Sequence, residues 1–92
     1  MDDREIVAAI VAGDLTGLAA AYDEHAESLY GYCRWMLREP EDAADAVQVG
    51  LEQAWRRRSS LRHGPSLKAW LDRIVVREAI RARFGVEHEP VV

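Results

Sequence analysis

Apolar residues recur along this chain at steps of three and four and nowhere in the strict alternation of a strand, a pattern that predicts helices throughout. The first run, "REIVAAIVA", follows Asp2 and Asp3, either of which can cap it. It stops before Gly13, suited to the left-handed residue that ends a helix, so a first helix is expected over Asp3 to Ala12. A second starts behind Asp14 or Thr16, places Leu18, Tyr22, Ala26, Leu29, Cys33 and Met36 on one stripe, and runs to about Arg38. Pro40 interrupts it but is tolerated in the first turn of a third helix reaching Arg56. The segment "RRRSSLRHGPS" then breaks the pattern and predicts a basic loop. Ser66 caps a fourth helix, "LKAWLDRIVVREAIRARF", with Leu67, Trp70, Leu71, Ile74 and Val75 as its inner stripe. The expected class is all-α, a small bundle of about four helices forming one domain over residues 1–84. Residues 85–92, "GVEHEPVV", are expected to be a flexible tail or the start of an interdomain linker.

On a helical wheel the third helix turns Ala43, Val47, Gly50, Leu51 and Ala54 inward, with Trp55 at the margin. The opposite side gathers Glu41, Asp42, Asp45, Gln48, Glu52 and Arg56, with Val49 near its centre. The helix dipole favours acids in a first turn, which accounts for Glu41 and Asp42 but not for Asp45, Gln48 and Glu52. A lone exposed valine is common on monomer surfaces, so Val49 by itself signals nothing. Gly50 costs about 1 kcal/mol against alanine inside a helix, and close approach of a neighbouring helix is the simplest reason to keep it.

Charge divides this picture in two. The net charge is -4, yet residues 1–45 carry a net of -8 and residues 46–92 a net of +4. From Trp55 to Phe84 nine bases face only Asp72 and Glu78. Arg73, Arg77 and Arg81 recur every four residues as a ridge that can meet several phosphates, although a solvated ridge without a ligand has the same spacing. Trp55, Trp70 and Phe84 border the basic region, where aromatics can stack on single-stranded bases; Trp55 and Trp70 fit the core stripes as well, and burial is the favoured reading of Trp70.

A chain of 92 residues holds one core and little more. No run is apolar for the length a membrane span needs and no secretory signal opens the chain, so a cytoplasmic location is expected. The lone Cys33 and the scattered His25, His63 and His88 show no ligand spacing, and neither a metal nor a cofactor is expected. No nucleophile, base and orienting group lie together and no glycine-rich phosphate loop occurs, which argues against an enzyme. The loop before the last helix is too long for the tight turn of a helix-turn-helix.

The stretches "LYGYC" (Leu29 to Cys33), "PEDAADAVQ" (Pro40 to Gln48), Ala54-Trp55, the basic loop and "AWLDRI" (Ala69 to Ile74), in this order and spacing, resemble the second conserved region of bacterial RNA polymerase sigma factors of the extracytoplasmic-function group. The resemblance implies that the third helix docks on the coiled coil of the polymerase beta-prime clamp through Asp42, Asp45, Gln48, Val49 and Glu52. It also implies that the loop and last helix recognise and melt the promoter minus-ten element, trapping flipped non-template bases and gripping phosphates. The positions that fall there are Arg57, Arg58, Arg62, His63, Ser66, Lys68 and Trp70, with Arg73, Arg77 and Arg81 toward the backbone. The partners implied are the polymerase core, melted promoter DNA and, on the alternative reading of a protein-interaction module, an anti-sigma regulator or a second copy of the chain. Val49 and Leu51 stand where the family usually has glutamate and phenylalanine, and Arg81 where aspartate is frequent.

Overall fold

Each predicted start has its predicted chemistry in the computed structural model, which describes residues 1–62 and 66–85. Helix α1 (Asp3–Val11) opens on a reciprocal cap: Asp2 Oδ1 accepts from the amide of Glu5 at 2.9 Å, and Glu5 Oε1 accepts from the amide of Asp2 at 2.9 Å. Helix α2 (Leu15–Met36) is capped by Asp14, whose Oδ1 accepts from the amide and hydroxyl of Thr16 at 3.0 and 2.7 Å. These hydrogen bonds hold the Asp14 carboxyl below its ordinary pKa. Helix α3 (Pro40–Arg56) uses Pro40 in its first turn and helix α4 (Leu67–Phe84) is capped by Ser66. Gly13 and Gly85 take positive φ at the ends of α1 and α4. The expected tail lies almost wholly outside the described residues.

Between α3 and α4 the basic segment is not all loop. Arg58–Leu61 forms a 3-10 turn, because Leu61 is buried and anchors it to the core. Among the described residues there is no strand.

The core gathers Ile6 and Ile10 of α1, Leu29 and Cys33 of α2, Ala43, Val47 and Ala54 of α3, Leu61, and the whole predicted inner stripe of α4. Burial pushes the Cys33 thiol above its ordinary pKa. Helix α4 packs on α3 and α2, and α1 closes over the start of α2. That last contact shifts the buried row of α2 to Gly17 and Ala21, so Tyr22, expected on the inner stripe, is exposed. Gly17 is where the two backbones meet: a Cβ there would lie 2.9 Å from the amide nitrogen of Ile10. Gly50 plays the expected part between α3 and α4, where a Cβ would come within 2.8 Å of Val75 Cγ2 and 3.0 Å of Val75 Cα. No described helix is long and apolar enough to cross a membrane.

Candidate functional site

The residues singled out by sequence lie on two surfaces, one on α3 and one on α4. Asp45, Gln48 and Glu52 are exposed along a single ridge of α3, as steps of three and four require. Two clefts flank the ridge. On the α4 side a cleft of about 460 Å³ is lined by Leu37, Asp42, Asp45, Val49, Glu78 and Arg81. On the α2 side Leu15, Leu18, Leu51 and Trp55 line a shallower one together with Gln48 and Glu52.

Val49 lies among the charged groups of the α3–α4 cleft rather than on an open face. It is half-buried and forms an apolar wall of the α3–α4 cleft, because the second half of α4 lies beside the first turns of α3. Leu51, expected in the core, is half-buried and faces α2.

On α4, Arg73 and Arg77 are exposed and have no side-chain partner among the described residues. With Tyr32, Ala69, Val76 and Ile80 they border an apolar trough. Arg81 does not extend their ridge. Each four-residue step overshoots a full turn by about 40°, so two steps carry Arg81 about 80° away from Arg73. It turns into the α3–α4 cleft, where Nη1 lies 3.5 Å from Glu78 Oε2.

The remaining nucleic-acid candidates among the described residues fall into three kinds. Arg57 and Arg62 are exposed, with no side-chain hydrogen bond or ion pair among the described residues. Arg58, Ser66 and Lys68 are already engaged. Arg58 lies 4.5 Å from the Trp55 ring centroid and donates to the Trp55 carbonyl at 2.9 Å. Ser66 accepts from the Ala69 amide at 3.2 Å. Lys68 Nζ donates to Asp72 Oδ2 at 2.6 Å and to the Tyr32 hydroxyl at 3.1 Å, and the Asp72 bond, more than the Tyr32 one, raises its pKa. Trp70 is buried: it is only 5% exposed, and its indole N–H donates to Ser60 Oγ at 2.9 Å. His63 lies outside the described residues.

Three residues that line the trough are not among the candidates that the sequence offers. Tyr32, Val76 and Ile80 form the apolar part of the trough, and the signal that could have found them is the i, i+4 pair Lys68–Asp72, which marks the side of α4 turned toward α2. Trp35, 86% exposed, forms with Met36, Arg83 and the 61% exposed Phe84 a separate patch where α2 and α4 end.

The model of sigma-70 region 2 matches residues 21–84, from within α2 to the last residue of α4. This chain belongs to the sigma-70 region 2 family. Relatives named ECF RNA polymerase sigma factor SigM, from two strains of Mycobacterium tuberculosis (ATCC 25618 / H37Rv and ATCC 35801 / TMC 107 / Erdman), are each 36% identical to it over 87 residues. The match covers 94% of this chain and 44% of each relative, so this sigma region 2 chain spans less than half the length of those proteins. No solved structure gives a significant match. Both surfaces lie inside the matched region, the ridge on α3 and the trough against α4.

Proposed function

We propose that this sigma-70 region 2 domain acts in transcription initiation as a binding module without catalysis. It docks the α3 ridge on the basic coiled coil of the polymerase beta-prime clamp and holds the melted non-template strand of the minus-ten element along α4. The observation that carries the proposal is the separation of charge onto adjacent helices. Exposed Asp45, Gln48 and Glu52 on α3 suit a basic protein surface, whose approach such charges orient and speed. Arg73 and Arg77 beside an apolar trough suit a strand whose bases are unstacked, with phosphates on the guanidinium groups and base faces against Val76, Ile80 and Tyr32. The printed name of the relatives, RNA polymerase sigma factor, supports the first half of this reading. A second reading, a module held by an anti-sigma regulator, draws on the exposed Trp35 and Phe84, which the polymerase and promoter contacts leave unused.

Binding of the domain to a non-template minus-ten oligonucleotide, to the same sequence as duplex and to the isolated clamp coiled coil, across a salt series, tests the proposal. The single strand is expected to bind more tightly than the duplex. Gln48→Ala is expected to weaken coiled-coil binding about fivefold, the effect of losing one interfacial hydrogen bond, and to leave oligonucleotide binding unchanged. Equal and weak binding to all three probes, or a parallel loss of both activities in Gln48→Ala, would sink it.

A further inference from the structure

Among the described residues the α3–α4 cleft holds three carboxylates, Asp42, Asp45 and Glu78, and a single cation, Arg81. Its apolar lining, Leu37, Ala46, Val49 and Ala82, suits the methylene stem of a long basic side chain. Glu78 is only 9% exposed, and a cation beside it offsets part of the cost of burying the side chain. Arg81 supplies that cation from within the same helix, but loosely. Its closest approach to Glu78 is 3.5 Å, longer than a close charge-assisted hydrogen bond, and its side chain remains 37% exposed. Asp42 and Asp45 have no ion-pair partner among the described residues. The cleft thus keeps an excess of negative charge with its one cation weakly held, directly beside the ridge of Asp45, Gln48 and Glu52.

We infer that Arg81 is the internal counter-ion of Glu78 in this cleft, and that a basic side chain of the docking partner reaches Glu78 by displacing it. The inference rests on the docking reading above and assigns Arg81 to partner selection on α3, away from the nucleic-acid surface. A partner with one basic residue placed to bridge Glu78 and Asp45 replaces Arg81 and completes the contact. A partner that offers charge elsewhere leaves Arg81 seated and gains only the outer ridge. The 3.5 Å contact holds Arg81 loosely, so displacing it acts on discrimination between partners rather than on gross affinity.

The test uses the full chain, with tetra-arginine peptide as a probe of the cleft alone and the clamp coiled coil as a probe of docking. Peptide binding is followed by NMR through the amides of Ala46, Val49 and Ala82. Arg81→Gln is expected to tighten peptide binding at these amides about threefold at low salt, the gain fading as salt rises. Arg4→Gln on exposed α1 removes the same charge far from the cleft and is expected to change it far less. Should Arg81→Gln fold poorly because Glu78 loses its cation, Glu78→Gln with Arg81→Gln is compared with Glu78→Gln alone, a pair in which no buried charge is stranded. An unchanged or weaker peptide affinity on removing Arg81 overturns the inference. Tighter peptide binding with no coiled-coil binding by any variant removes the docking reading and leaves the counter-ion assignment standing. Coiled-coil binding that is sensitive to Gln48→Ala, with both probes indifferent to Arg81→Gln, does the reverse.

Discussion

Gly50→Val is expected to unfold most of the domain at physiological temperature, and Gly50→Ala to lower its stability. Propensity alone points the other way, since alanine is favoured over glycine in a helix interior by about 1 kcal/mol. The new Cβ, however, would stand 2.8 Å from Val75 Cγ2 and 3.0 Å from Val75 Cα. One of those atoms is backbone, so no rotamer change relieves the contact and α3 must move off α4. Overpacking of this kind costs about 3 kcal/mol at the upper end of its range, which leaves a net loss of about 2 kcal/mol for alanine. Valine adds two methyl groups to the same gap, and small domains have only about 5 kcal/mol in hand. Urea titration reads the loss as a lower midpoint at unchanged slope. Val75→Ala should partly rescue Gly50→Ala, so that the double variant is more stable than the sum of the single changes requires. A Gly50→Ala protein more stable than the parent would mean that the helices do not meet here.

The second large effect falls on the proposed nucleic-acid surface. Replacing Arg73 and Arg77 together by alanine removes two cations that stand clear of other side chains among the described residues. Each phosphate contact to a single strand contributes about 0.7 to the slope of log affinity against log salt, so the slope should fall by about 1.4. At a salt concentration of about 0.1 M the same counterion term amounts to about 25-fold in affinity. Coiled-coil binding should be untouched, because both residues face away from the α3 ridge. An unchanged slope would remove Arg73 and Arg77 from the interface whatever the affinity does. Arg81→Gln should leave this slope unchanged, since its guanidinium lies in the α3–α4 cleft.

Features whose cause is local were open to reading from the chain alone. The caps Asp2, Asp14 and Ser66, the proline of the first turn of α3 and the glycines at the ends of α1 and α4 each act within a few residues of themselves. Gly50 belongs with them, because a glycine inside a helix is unfavourable locally and implies a neighbour even when that neighbour is unknown. Tyr22 and Arg81 are placed differently from their spacing, and Val49 is more covered, for the complementary reason. Periodicity fixes the angle of a side chain about its own helix axis and does not say which helix covers that angle. Only the packing of α4 beside α3 turns Val49 into a cleft wall and Arg81 into a counter-ion, and only the packing of α1 on Gly17 moves Tyr22 outward. The engagement of Lys68 by Tyr32, 36 residues away in sequence, leaves no trace in the spacing of charges. The ridge Asp45, Gln48 and Glu52 and the pair Arg73 and Arg77 stay on the faces that spacing gives them, because each set lies within two turns of one helix.

The hydrogen bond from Trp70 to Ser60 has a thermodynamic consequence for the basic segment. Ser60 Oγ accepts from a buried indole and donates to the Arg57 carbonyl at 2.7 Å, while Leu61 is packed in the core. The 3-10 turn is therefore ordered by the same contacts that fold the domain, before any partner arrives. Ordering a residue from a free chain costs about 1 to 2 kcal/mol, and for Arg58 to Leu61 that loss of freedom is already absorbed in folding. A strand that meets Arg57 and Arg62 on either side of the turn binds a preorganised surface, so its affinity is not reduced by the entropy of fixing the peptide between them.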